Sequence, residues 1–239
     1  MNRHATPSLF TRGITLNVSQ KLSAIDYMNP DVPQSLPVHD IPLIRATPES
    51  IEAYGAIVHD PDTHPVEIVT WPAAGWRAID AGTGNEGGYA EGVFEFSWQG
   101  DILYAVNQAV DDQYLLGWSE QPGEASKDNE HPNRNQLLIW HANYHPDGAQ
   151  LFYPQDQTPF VIPLALPGND VKPEDFVAFY CDGSFGVCIH PNIWHEAIAP
   201  LAETSRFYDK QGKVHARVSC DFAREFGVFL SVPLREPAD

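Results

Sequence analysis

The stretch GVFEFSWQGDILYAVNQ, residues 92–108, is two strand-like runs joined by Trp98-Gln99-Gly100-Asp101. A period of two puts successive side chains on opposite faces of a strand, and a link this compact folds one strand back on the other. Outward from this hairpin the chain keeps the same habit. Strand-like segments are predicted at Val66–Trp71, Gly92–Trp98, Asp101–Gln108, Gln136–His141, Gln150–Tyr153, Phe160–Ala165, Phe176–Cys181, Gly186–Ile189, Ile193–Ile198 and Val228–Val232, with a further turn at Asp182-Gly183. The 21 prolines and 17 glycines keep the segments short. One helix signal stands out: Thr47 suits the N-cap, Pro48 the first helical position, Glu49 the positive end of the dipole and Gly55 the stop. Many short strands with almost no helix predict an all-β, antiparallel β-barrel or jelly roll with one short N-terminal helix. Residues 1–41 read as an N-terminal arm and residues 42–239 as the barrel domain. Asp111–Asn135 is polar and reads as an inserted surface loop.

The composition narrows the partners. The 239 residues carry 32 Asp+Glu against 14 Lys+Arg, a formal net charge of −18, yet 43% are hydrophobic and 11% aromatic. That apolar content excludes global disorder. The acidic balance and scattered basic residues exclude nucleic acid and anionic membrane surfaces, both of which need clustered Lys and Arg. No run approaches the roughly 18 apolar residues of a membrane span, and no secretory signal opens the chain, so a cytoplasmic protein is expected. Cys181, Cys188 and Cys220 have neither disulfide-framework nor zinc spacing and read as small buried hydrophobes. The Gly-rich stretch Gly82–Gly88 lacks the lysine of a phosphate-binding loop and reads as turns.

Histidines concentrate where the strands are densest. His141 and His145 lie in the segment Trp140–Gln150, and His190 and His195 in His190–Glu196. On a straight strand Asn143 and His145 share a face, as do His190, Asn192 and Trp194. His195 would then face the other way unless Pro191-Asn192 turns and resets the phase. Any one of these histidines is ordinarily a satisfied core or surface residue; two clusters of imidazole and amide together point to a site.

The spacing resembles that of cupin barrels, whose first motif runs H-x-H-x(4)-E and whose second ends P-x-G-x-x-H. Asn143, His145 and Gln150 keep the first spacing and His195 closes the second, with Asn and Gln replacing a His and a Glu. The resemblance implies one divalent metal at most, held by His145, Gln150 and His195. Imidazoles with amides are a weak set beside one with a third His or a carboxylate.

A closer resemblance lies in His145-Pro146-x-Gly148-x-Gln150, Phe152-x-Pro154, Pro159-Phe160-Val161 and Gly186-Val187-x-x-His190-x-x-x-Trp194-His195, with Ile51–Gly55 ahead of them. These resemble the ureidoglycolate lyase family of the cupin superfamily over about residues 42–239. Asn143 departs from the family, standing where Glu is expected. The resemblance implies a carbon–nitrogen lyase of allantoin and purine nitrogen catabolism that cleaves (S)-ureidoglycolate to glyoxylate and urea. One carbon of that substrate carries a hydroxyl, a carboxylate and a urea nitrogen, so elimination needs a base for the hydroxyl and an acid for the leaving nitrogen. Imidazole serves as either near pH 7. His145 and His195 are the expected acid/base pair and His190 an orienting group. Gln150 and Asn143 would hold the ureido group, with Trp194 packed beside it. The carboxylate needs a cation inside an acidic protein, and Arg217 and Arg224 are the candidates, ahead of Arg77 and Arg134. Two other readings remain open, a metal-dependent cupin oxygenase or isomerase and a non-catalytic cupin that binds a small ligand. Edge strands and a Pro-rich arm predict a homodimer.

Overall fold

The structure, a computed structural model, describes residues 25–69, 75–80, 87–213 and 216–238. The chain begins β1 (Val38–Asp40), β2 (Leu43–Arg45), α1 (Pro48–Ile51), β3 (Gly55–Val58), β4 (Tyr89–Gln99), β5 (Ile102–Asn107) and β6 (Asp112–Trp118). It continues β7 (Gln136–Ile139), β8 (His141–Tyr144), β9 (Gln150–Pro154), β10 (Phe160–Ala165), β11 (Val177–Cys181) and β12 (Gly186–Ile189). It ends β13 (Trp194–His195), β14 (Ala199–Pro200), β15 (Thr204–Gly212), β16 (Val218–Asp221), α2 (Phe222–Glu225) and β17 (Phe229–Pro233). The strands form two sheets. One runs β1-β17-β7-β6-β5-β4-β15-β9-β12-β3; the other runs β16-β8-β13-β10-β11-β2, with β14 also on β10. The pairing is antiparallel except where β1 meets β17 and β2 meets β11. The molecule is therefore all-β, as the strand pattern predicts, and cupin-like, as the motif resemblance implies.

One hydrophobic cluster joins the two sheets: Phe94, Phe152 and Phe207 from the first pack with Phe160, Phe179 and Val218 from the second. Alternation builds it, since β4 turns Phe94, Phe96 and Trp98 inward between exposed or half-buried neighbours. The rings meet edge-on, Phe207 lying 5.6 Å from Phe96 and 5.1 Å from Phe160.

Most predicted strands are present with ends shifted by a residue or two. Gly100 takes the positive φ (54°) that closes the β4–β5 hairpin, and Gly183 (87°) that of the turn after β11. The differences have physical reasons. In Val66–Trp71 the described residues form only an isolated bridge, Ile68 to Gly148, and residues 70–71 lie outside the described set. Gln136–His141 breaks at Trp140 into β7 and β8, one in each sheet, and Ile193–Ile198 shrinks to the two-residue β13. Asp111–Asn135 is not all loop: its first part is β6, entered through Asp111 at φ 53°. The rest is tied to buried Asp101, whose carboxylate accepts from Ser119 Oγ, Ser126 N and Asn129 Nδ2. β15 carries no strand signal because its inward stripe is Ser205, Phe207, Asp209 and Gln211, three polar residues to one apolar.

α1 starts as predicted. Thr47 Oγ1 accepts from Ser50 N at 3.1 Å and Ser50 Oγ accepts from Thr47 N at 2.9 Å, a reciprocal cap. It ends earlier than expected, at Ile51, and Gly55 is not its stop. Gly55 opens β3, where a Cβ would overlap the Cys188 carbonyl across the sheet. The three cysteines are free and buried, and burial pushes the Cys188 and Cys220 thiols up to about 12. Of Gly82–Gly88, residues 82–86 lie outside the described set. No helix among the described residues is long and apolar enough to cross a membrane.

Candidate active site

A small cavity opens between the sheets, its empty space about 380 Å³ when the open solvent at its mouth is included. From the smaller sheet it is lined by Asn143, His145, His195, Glu196 and Arg217; from the larger by Phe94, Asn107, Gln150 and Phe152. Strand register brings these together. His195 on β13 pairs with Asn143 on β8, and β16 pairs Val218 with Tyr144, which sets Arg217 beside His145 at the end of the ladder. β9 turns Gln150 and Phe152 inward from the other sheet. The phase question at His195 has a definite answer. Asn192 sits at φ 68° with its N–H on the His145 carbonyl, 3.1 Å. That turn resets the alternation, so His195 faces the cavity and His190 does not.

The two imidazoles lie with ring centroids 4.9 Å apart and are 4% and 3% exposed. His145 Nδ1 donates to the Ala216 carbonyl and His195 Nδ1 to the Ile193 carbonyl, each at 2.8 Å. A carbonyl only accepts, so each Nδ1 carries the proton and each Nε2 is left for the cavity. Burial holds both below the ordinary imidazole pKa. His145 lies well below it, pushed further by His195 and Arg217; for His195 the Ile193 hydrogen bond and Glu196 oppose the fall. Of the two, His195 is the easier to protonate. Its Nε2 also meets Gln150 Oε1 at 3.2 Å, an acceptor that favours a proton there.

Gln150 is oriented from behind. Its Nε2 donates to Asp209 Oδ1 (2.9 Å), while Asp209 Oδ2 accepts from Asn107 (3.1 Å) and Gln211 (2.9 Å). Asp209 is fully buried with three amides facing it, and burial raises its pKa to about 7 against the pull of the Gln150 and Asn107 hydrogen bonds. The folded carboxyl keeps its proton to about pH 7, whereas an unfolded one loses it near pH ~4. Between those values the folded state binds more protons, so this group makes stability fall as pH rises, by up to ~1.4 kcal/mol per pH unit. Asp209→Asn should remove that component. Urea unfolding of both proteins at pH 5, 6 and 7 checks it, and parallel pH trends would contradict it.

Two further features suit a polar ligand. Asn143 Oδ1 is buried without a hydrogen-bond partner, an acceptor facing a donor-bearing guest. Glu196 is fixed by His141 Nδ1 on Oε2 (2.9 Å) and Ala197 N on Oε1 (2.9 Å). Arg217, 14% exposed, brings the cation, with Nη1 3.3 Å from Asp112 Oδ2.

The expected residues divide. His145, His195, Gln150, Asn143 and Arg217 are gathered around the cavity. His190 is exposed at the end of β12, its N–H on the Tyr54 carbonyl. Trp194 is fully buried outside the lining, its Nε1 donating to the Gly168 carbonyl at 2.7 Å and its ring edge-on to Tyr144. Arg224 lies on the surface, paired with Asp31 and Asp221. Arg77 is turned inward to a bidentate pair with Glu225. Sequence reasoning missed Glu196, Asp209, Asn107 and Tyr27. Glu196 was signalled by its place directly after His195, and Asp209 by the alternation of β15; Tyr27 and Asn107 had no local signal.

As a metal centre the donor set is short. The two Nε2 atoms, each backed by an Nδ1–H on a carbonyl, are the arrangement of metal-binding imidazoles. Their companions are the amides of Gln150 and Asn143, and the described residues gather no group of three or more His, Cys, Asp or Glu able to hold an ion.

A family model described as Ureidoglycolate lyase matches residues 126–223, the segment that contains Asn143, His145, Gln150, His195 and Arg217. The ureidoglycolate lyase of Azotobacter vinelandii is 34% identical over 87 residues, 36% of this chain and 51% of its own length. Ureidoglycolate lyase 2 of Rhizobium meliloti is 38% identical over 63 residues, 26% of this chain and 38% of its own. That of Pseudomonas savastanoi pv. phaseolicola is 32% identical over 79 residues, 32% and 46%. The chain thus spans about half or less of the length of these curated relatives. The resemblance to the ureidoglycolate lyase family is shown over residues 126–223, a narrower stretch than the motifs suggest.

Proposed function

We propose that this chain, similar to ureidoglycolate lyases in the segment that builds its cavity, is itself a lyase that cleaves (S)-ureidoglycolate to glyoxylate and urea. The observation that carries the reading is the convergence of a guanidinium, two paired imidazoles of lowered pKa and a partnerless amide oxygen in one small cavity. Arg217 receives the substrate carboxylate, and Asn143 Oδ1 accepts from the ureido N–H. His145 Nε2, held neutral, takes the hydroxyl proton. As the C–O bond becomes C=O and the C–N bond breaks, the imidazolium form of His195, protonated at both nitrogens, gives its Nε2 proton to the leaving nitrogen. The proton then returns from His145 to His195. Burial first, and then repulsion from a protonated His195, disfavour a charge on His145. Release of glyoxylate, followed by a coupled dehydrogenase, tests the reading.

The metal-dependent oxygenase or isomerase reading ranks behind, since amides replace its strong ligands. A non-catalytic cupin would bind glyoxylate without turnover in the same assay. The proposal extends to a cytoplasmic enzyme of purine and allantoin breakdown, acting as a homodimer through sheet edges; within residues 1–41, β1 joins the larger sheet and Tyr27 lines the cavity, so the described part of that segment belongs to the domain. Light scattering after size exclusion reads the oligomeric state, and a monomer at micromolar concentration would count against the dimer.

A further inference from the structure

We propose that Tyr27, contributed by the segment ahead of β1, is a positioning residue that holds the Arg217 guanidinium at the cavity and so sets how tightly a carboxylate binds there. The inference rests on reading the cavity as one that accepts a carboxylate. Tyr27 lies outside residues 126–223, so the segment similar to ureidoglycolate lyases does not contain it.

Arg217 Cζ lies 4.6 Å from the centre of the Tyr27 ring, which also lines the cavity. The ring is fixed on several sides. It stands edge-on to Tyr114 at 5.6 Å and to His141 at 5.2 Å. Its hydroxyl lies 3.4 Å from Ser219 Oγ, and its carbonyl accepts from Leu115 N on β6 at 2.9 Å. Arg217 is thereby held between a carboxylate, Asp112, and an aromatic face. The two act differently. Asp112 attracts the guanidinium but competes with an incoming anion for its charge and its N–H groups. The face of a phenol attracts a cation through its quadrupole and adds no negative charge. Burial raises the Tyr27 hydroxyl above its ordinary pKa and keeps the ring neutral. In a chain of net charge −18, a neutral holder preserves the local positive charge that a carboxylate needs.

The test uses the full chain with Tyr27→Phe, Tyr27→Leu and Tyr27→Met, glyoxylate as the carboxylate probe by calorimetry, and KM and kcat on ureidoglycolate. Phe keeps the aromatic face and should stay within about twofold of wild type in every reading. Leu and Met fill space without a quadrupole; they should weaken glyoxylate binding and raise KM by about thirtyfold, the size of a desolvated cation–π contact. Their kcat should stay within about threefold, which a general loss of structure would not allow. Equal glyoxylate affinity in wild type and the folded aliphatic variant, a Phe variant as weak as Leu, or a wild type that binds no glyoxylate would each overturn the inference. If wild type binds glyoxylate with this dependence on Tyr27 but turns over no ureidoglycolate, the lyase reading falls and the positioning role stands.

Discussion

His145→Ala and His195→Ala should each lower kcat for ureidoglycolate cleavage by at least about 10²-fold, the usual contribution of a positioned acid or base. Each ring is aimed by one backbone carbonyl, Ala216 for His145 and Ile193 for His195, so neither variant disturbs the other's anchor. The losses should be far from additive, because a proton that enters through one ring must leave through the other. Neutral His145 sets the acid limb of the wild-type kcat/KM profile and protonated His195 the alkaline limb, and because burial lowers both groups each limb should fall below pH ~6.5. Near-wild-type rates in both variants, in the glyoxylate-coupled assay, would remove these roles.

Arg217→Met should act on binding. A hydrogen bond to a charged group contributes about 1.5–3 kcal/mol, so KM for ureidoglycolate should rise roughly 10- to 150-fold with kcat little changed. Arg217→Lys keeps the charge but loses the planar fork, and should fall between. Arg224→Met, on the surface beside Asp31 and Asp221, is the control and should leave KM unaltered. An unchanged KM in Arg217→Met would mean that the carboxylate is received elsewhere. Its melting temperature is read alongside, because Asp112 loses its partner in the same variant.

What could be read from the sequence followed from local pattern. Phe94, Phe96 and Trp98 alternate with polar residues, so β4 and its hairpin announce themselves, as do Thr47 and Pro48 at the start of α1. The motif residues His145, Gln150 and His195 carried the resemblance because their spacing survives in the chain. The rest depended on register or on residues that break a pattern for the sake of the cavity. β15 was invisible because Asp209 and Gln211 occupy positions where a strand buried on one face ordinarily places apolar side chains. The inward aim of His195 hangs on one positive φ at Asn192, which asparagine adopts more readily than most residues but which spacing cannot reveal. Arg217 over Arg224 was a matter of seven residues: one lies beside His145 in the ladder, the other beyond β16 on the surface. Tyr27 meets Arg217 across 190 positions of chain, a contact that no local pattern encodes.

The charge of −18 sets the physical problem that such a site must solve, since the whole molecule repels the anion it is proposed to bind. Arg217 answers it locally. The direct test is glyoxylate and urea release from (S)-ureidoglycolate by the purified full-length protein, measured against the spontaneous rate. The account predicts stoichiometric glyoxylate and urea at a rate that scales with protein concentration and collapses in His145→Ala. Release at the spontaneous rate, whatever the protein concentration, would contradict it.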